Sequence, residues 1–252
     1  MNIVTDKLGD PTGPDGSYTK DDIIRASAED LAACDFAVVF MANPSTGSGY
    51  DEATGTFKPI SLQYNEYVAD GDNVRDESIS QRVVETVMET PYGPTTTRTR
   101  EDRNYYDEST VASNLGDLEL VLDVADRVTC PVVACITASN AMVFSEFEDK
   151  VASILIGFGE SAFDKTNFLP VLGGKVEPTG LLPIQMPKDM DTVEAQYEDV
   201  PRDAEVYVDA DGNAYDFTFG MNWAGKIEDE RVAKYNVPAL TEPETVTIEL
   251  AE

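Results

Sequence analysis

Histidine is absent from this 252-residue chain, which removes imidazole bases, Ser-His triads and most zinc sites from consideration. Acid–base chemistry here falls to carboxylates. Basic residues are also scarce: 18 Lys and Arg stand against 48 Asp and Glu, for a formal charge of -30. Neutralising phosphates needs clustered Lys and Arg, so this balance argues against nucleic acid and anionic lipid as partners. The acidic excess reads as a solvated surface, a composition that salt-adapted proteins share. Cys34, Cys130 and Cys135 are odd in number and form no CxxC pair. They read as free thiols, not as a disulfide or metal site, and they favour a cytoplasmic setting. No apolar run approaches the ~18 residues of a membrane span. Met1 to Asp6 also lack the basic and apolar regions of a signal peptide. No membrane is expected as a partner.

The 42% hydrophobic content is ample for a buried core. Residues 1–18, rich in Gly, Pro and Asp, read as a loop or the remnant of a preceding segment. Thr19, with Asp22 in the capping-box position, predicts a helix running to about Ala33. A continuously apolar strand follows at 36–41, the pattern of a buried parallel strand. Residues 43–110 are long and polar, with a hairpin expected near Ile60 to Tyr64 and a short helix near Ser80 to Met88. Long loops in compact domains are usually functional or disordered. From Asn114 the apolar residues Leu115, Leu118, Val121, Leu122, Ala125 and Val128 recur at helical spacing. Strand 131–137, a helix near Ser145, strand 153–158, a helical stretch over 162–172 and strand 181–186 complete an alternating series. That alternation predicts an α/β fold, a mostly parallel sheet sandwiched by helices, with long loop insertions. A C-terminal β-hairpin is expected around Asp209 to Ala214, and 236–252 forms an acidic tail. The single domain expected spans 19–235.

Several motifs carry two readings. Asp209-x-Asp211-Gly212-Asn213 suggests calcium, but an EF-hand loop needs glycine at its sixth position and here it is at the fourth. A hairpin turn fits better, and no metal site is expected. Gly157-Phe158-Gly159-Glu160-Ser161-Ala162 matches a dinucleotide fingerprint, yet it falls late in the sheet and sets Glu160 beside a pyrophosphate. It reads as a strand-to-helix turn, and no cofactor is expected. Pro44 to Gly49 could cradle an anion on its amides, but no helix pattern follows, so a turn or a loop touching a neutral ligand fits better. Glu101 and Asp102 lie among Arg98, Arg100 and Arg103. As bare residues they read as a surface salt-bridge cluster, and the functional alternative is a general acid on a mobile loop.

A family resemblance joins these pieces. Residues 132–143, Val-Val-Ala-Cys-Ile-Thr-Ala-Ser-Asn-Ala-Met-Val, followed by the strand 153–159, resemble successive strands of the C-terminal α/β domain of family 3 glycoside hydrolases. The run from Gly174 to Pro187, with Pro178-Thr179-Gly180-Leu181-Leu182-Pro183, and the run from Asp216 to Trp223 resemble that domain's closing motifs. The resemblance implies a retaining, β-glucosidase-like hydrolase acting on a β-linked glucoside or oligosaccharide. It also implies a (β/α) barrel partner that carries the Asp nucleophile. Glu101-Asp102-Arg103 resembles the family's acid/base loop, so Glu101 is the candidate acid/base, with Glu52, Glu66 and Glu108 as alternatives. Asp51, Ser45 and Arg103 are the candidate substrate-binding residues. A barrel of about 200 residues does not fit beside the α/β domain. The chain therefore reads as a separated domain, a truncated gene product or a split subunit, incomplete alone. Two other classes stay open. One is a noncatalytic carbohydrate-binding or assembly module using the 43–70 and 91–108 loops, and the other is a flavodoxin-like nucleotide binder.

Overall fold

The computed structural model describes residues 3–76, 82–101, 104–159, 165–197 and 200–236, with the side chains of 82–84, 98–101 and 165–166 outside that description. The chain runs through β1 (Lys7–Leu8), β2 (Ile23–Ile24), α1 (Ala28–Ala32), β3 (Ala37–Ala42), β4 (Tyr50–Asp51), β5 (Thr56–Phe57) and β6 (Tyr67–Val68). It continues through β7 (Arg82–Thr90), β8 (Gly93–Glu101), β9 (Ser109–Thr110), α2 (Leu115–Arg127), β10 (Val132–Ala138) and β11 (Ser153–Phe158). The last elements are α3 (Leu169–Leu172), α4 (Met190–Ala195), β12 (Met221–Asn222), β13 (Gly225–Lys226) and α5 (Glu230–Tyr235). These residues divide into two compact units.

The first unit comprises 1–43, 114–140 and 145–176 and holds the α/β layer that the alternating pattern predicts. Its parallel sheet has the order β11-β10-β3, with Cys135 paired to Leu155 on one side and Phe40 on the other. The central strand β10 buries Val132, Ala134, Cys135, Ile136 and Ala138, as a strand covered on both faces should. Helix α2 packs on β3 and buries Leu118 and Val121. Its first turn is tied to the sheet: Asn114 Nδ2 donates to the carbonyls of Ala42 (3.3 Å) and Asn43 (3.2 Å), and Asp117 accepts the Ala42 amide at 3.0 Å.

Two expectations in this unit are corrected, and a third, the helical stretch over 162–172, is met in its described part. The Thr19–Asp22 capping box forms, but it caps only a 3-10 turn, Lys20–Asp22. The β-branched Ile23 and Ile24 then extend to pair with Leu8 and Lys7, and a new helix starts where Ser27 caps the Asp30 amide. The helix near Ser145 reduces to a 3-10 turn at Glu148–Lys150 that follows the fully buried Phe147. In the 162–172 stretch, 160–164 lie outside the described residues, and a 3-10 turn at Lys165–Phe168 leads into the short α3.

The second unit comprises 44–113, 141–144 and 177–252, and it is built from hairpins and turns. The hairpin expected at Ile60 to Tyr64 forms instead between β4 and β5, where Gly55 takes a φ of 73°. Ser61 and Tyr64 are buried in bends. The helix expected near Ser80 to Met88 is a strand: β7 pairs antiparallel with β8 along their full lengths, from Arg82↔Glu101 to Thr90↔Gly93. β-branched residues explain the outcome, because Val83, Val84, Thr86 and Val87 face a threonine-rich partner and favour extended backbone over helix.

The stretch 181–186 also departs from expectation, since it adds no strand to the parallel sheet. It runs extended beside 215–219 within the second unit. Leu182 N–H donates to the Phe219 carbonyl (2.7 Å), Thr218 N–H to Leu182 (2.9 Å) and Met186 N–H to Tyr215 (3.0 Å). The two closing motifs that are distant in sequence are therefore direct neighbours. The hairpin expected around Asp209 is present as a Val208↔Ala214 bridge. Asp209 Oδ1 accepts the amides of Asp211 (3.0 Å) and Asn213 (2.8 Å) in its turn. Of the 236–252 tail, all but Asn236 lies outside the described residues.

Candidate functional site

Glu101 is the last residue of β8, at the root of the long hairpin, opposite Arg82. Residues 102 and 103, and with them the candidate Arg103, lie outside the described residues. The chain resumes at Asn104, whose Nδ2 donates to the Asp76 carbonyl at 2.5 Å and so ties the hairpin's return to its departure.

Below this root lies a tyrosine pair joined by one carboxylate. Tyr67 donates its hydroxyl to Glu194 Oε1 at 3.1 Å, and Tyr105 donates to Glu194 Oε2 at 3.0 Å. Burial, followed by the Glu194 charge, raises both phenols, with Tyr105 pushed up to about 12. Both remain protonated donors at working pH. Glu194 sits on α4, which Asp189 caps by accepting the Thr192 amide at 2.9 Å. Met190 of the same helix packs in a buried cluster with Tyr67, Ala69 and Val74. A small polar cavity of about 190 Å³ opens beside it, lined by Gly71, Asp72, Asn73, Val74, Asp191 and Glu194.

The remaining candidates fall elsewhere in the unit. Asp51 ends β4, and its Oδ1 accepts the Ala53 amide at 2.9 Å in the β4–β5 turn. That amide, the Thr54 hydroxyl and Lys58 hold its carboxyl below the usual carboxylate range. Ser45 accepts at its carbonyl from the Ser113 amide (2.8 Å) and hydroxyl (3.0 Å), which fastens the 44–49 loop. Glu108 is ion-paired with Lys58, whose amide also donates to Gly49 at 3.0 Å. Glu52 and Glu66 are exposed. Lys58 thus connects the Asp51 turn, the 44–49 loop and Glu108, while Glu101 belongs to the hairpin root. Nothing in the sequence pattern marks Glu194. The one available signal is the Asp189-x-x-Thr192 cap ahead of Met190 and Val193, which announces a short helix.

Residues 6–223 match the sequence profile of the glycosyl hydrolase family 3 C-terminal domain. The chain belongs to this family. Among curated proteins it is similar to beta-glucosidase C of Emericella nidulans, at 36% identity over 75 residues, covering 30% of this chain and 12% of that protein. It also resembles the probable beta-glucosidase C of Aspergillus flavus, at 31% identity over 96 residues, covering 38% and 14%. A third similar protein is the probable beta-glucosidase C of Aspergillus oryzae, at 31% over 94 residues, covering 37% and 13%. The aligned stretches are thus a small part of much longer relatives. No solved structure matches this chain. The parallel sheet β11-β10-β3 with its helices is consistent with this domain, and the match places the chain in a family of glycoside hydrolases.

Proposed function

We propose that this chain is the C-terminal portion of a β-glucosidase-like glycoside hydrolase and supplies Glu101 as the acid/base to a site that a (β/α) barrel domain completes. The observation that carries the reading is the match of 6–223 to the family 3 C-terminal domain, with Glu101 heading the Glu101-Asp102-Arg103 motif inside it. Retaining hydrolysis needs two carboxyls about 5–5.5 Å apart. An Asp from the barrel attacks the anomeric carbon as Glu101 protonates the departing glycosidic oxygen. Glu101 then takes a proton from the water that releases the sugar. With no histidine in the chain, acid–base chemistry falls mainly to its carboxylates. Asp51, Ser45 and Arg103 are assigned to the sugar hydroxyls, and the substrate is a β-linked glucoside or oligosaccharide.

The test combines the chain with a separately expressed family 3 barrel domain and assays aryl β-glucosides. Glu101→Gln should lose activity on poor leaving groups, keep much of it on 2,4-dinitrophenyl glucoside, and recover turnover with added azide. Full activity of the Gln variant would move the role to Glu52, Glu66 or Glu108. Enzyme-like turnover by the chain alone would remove the need for a barrel.

A further inference from the structure

The β7–β8 hairpin pairs with no third strand among the described residues. A two-stranded hairpin standing alone is marginal in water, so the position of a residue on it depends on what holds its root. Among the described residues the β6–β9 ladder, extended by Ala69 N–H to Glu108 and Asp107 N–H to Ala69 at 2.9 Å each, joins the chain on either side of the hairpin, and side-chain contacts add to that ladder. Asn104 Nδ2 joins the returning chain to the Asp76 carbonyl at 2.5 Å. Tyr105, four positions beyond Glu101, reaches Glu194 Oε2 at 3.0 Å. Tyr67, on the strand that precedes the hairpin, reaches Glu194 Oε1 at 3.1 Å. The two oxygens of one carboxylate therefore clamp the chain before and after the hairpin. The clamp is itself seated, because Met190, one turn before Glu194 on α4, is 2% exposed and packs with Tyr67, Ala69 and Val74.

We propose that Glu194, by joining Tyr67 to Tyr105, is a positioning residue for Glu101: with the β6–β9 ladder it fixes the hairpin root and so the backbone position of Glu101. The inference rests on the reading of Glu101 as the acid/base. It also gives the 185–196 segment a task, since the closing motif leads directly into the helix that carries the clamp.

The experiment uses the full chain with a family 3 barrel domain and compares cellobiose with 2,4-dinitrophenyl glucoside. kcat/KM reports formation of the glycosyl-enzyme, and in that step a misplaced general acid costs rate only where the leaving group needs its proton. Glu194→Ala should lower kcat/KM for cellobiose on the order of 10- to 100-fold, and for the dinitrophenyl substrate less than about 3-fold. Glu194→Gln, which keeps a carbonyl acceptor, should recover part of the loss. Tyr105→Phe keeps the ring in place and should show the same selective loss at smaller size. On the chain itself, Glu194→Ala should speed hydrogen exchange of the amides at 82–101 and leave those at 132–138 unchanged. Equal losses on both substrates, or none, in Glu194→Ala and Tyr105→Phe overturn the proposal. If Glu101→Gln shows the leaving-group dependence and these variants do not, the clamp alone fails. If Glu101→Gln lacks it, the acid/base reading fails and the clamp with it.

Discussion

Asp6 gives the sharpest test of what holds the first unit together. It accepts Arg127 through both oxygens, at 2.9 and 3.1 Å, Arg25 at 2.9 Å and the Ala26 amide at 2.8 Å, while Asp123 also takes both arginines. Asp6 and Arg127 are 26% and 24% exposed, so the pair lies between a buried bridge and a surface one. Charge-assisted bonds contribute about 1.5–3 kcal/mol when buried, and exposed ion pairs about 0.2–1 kcal/mol. Asp6→Asn keeps the shape and removes the charge, so a loss of about 1–2 kcal/mol is expected at pH 7. For a chain of this size that is roughly 2–8 °C in apparent Tm. The Arg127 guanidinium is the chief cause holding the Asp6 carboxyl well below the usual carboxylate range. A lowered folded-state pKa stabilises above the unfolded value, and that stability is lost as pH falls toward the folded value. By pH 3 the unfolded chain has taken up its proton, and about 1 kcal/mol of the wild-type advantage should be gone. Urea unfolding followed by circular dichroism at pH 7, 5 and 3 measures the gap while avoiding the isoelectric region near 4.1. Equal midpoints at pH 7, or a gap that stays constant down to pH 3, would refute the reasoning.

Two further outcomes follow from packing. A Cβ at Gly220 would lie 2.2 Å from the Gly180 carbonyl oxygen, so Gly220→Ala should destabilise the second unit by more than about 2 kcal/mol. The fluorescence of Trp223, the only tryptophan and a member of that unit, reports the shift in urea midpoint, and an unchanged midpoint would show that the close approach is dispensable. Cys135 is 1% exposed, with its thiol pushed up to about 11 by burial, while Cys34 and Cys130 are half-buried. At pH 8 a thiol reagent should label Cys34 and Cys130 in the native chain and Cys135 only after unfolding. Mass spectrometry of the labelled peptides decides this, and early labelling of Cys135 would contradict the buried sheet.

The parallel sheet was legible because its strands are continuously apolar and its α2 helix keeps one period over 115–127. Both signals are local. Where the chain departs from expectation, a contact distant in sequence decides. Thr19 signals a helix start correctly, but Lys7 and Leu8 draw Ile23 and Ile24 into a ladder that ends it. The segment 181–186 has a strand's composition, yet its amide partners are the carbonyls of Tyr215 and Phe219, not a sheet neighbour. In 82–101 the polar composition hides a regular period. The threonines of β8 are β-branched like the valines of β7 they pair with, and they read as loop only while threonine is counted as a polar residue.

The candidate site divides along the same line. Glu101 is a candidate from sequence only because Glu101-Asp102-Arg103 resembles the acid/base loop of the family. What supports it could not be read there, because the clamp unites Tyr67, Tyr105 and Glu194, each an ordinary residue in its own segment. Its chemistry exists only in the assembled unit, where burial keeps the two phenols as donors and one carboxylate serves both. A general acid must be held within a fraction of an ångström of the oxygen it protonates, and a free-standing hairpin provides no such restraint. Under the acid/base role proposed for Glu101 that restraint comes from the root, where in the described residues the β6–β9 ladder, Asn104, Glu194 and the two tyrosines hold the chain.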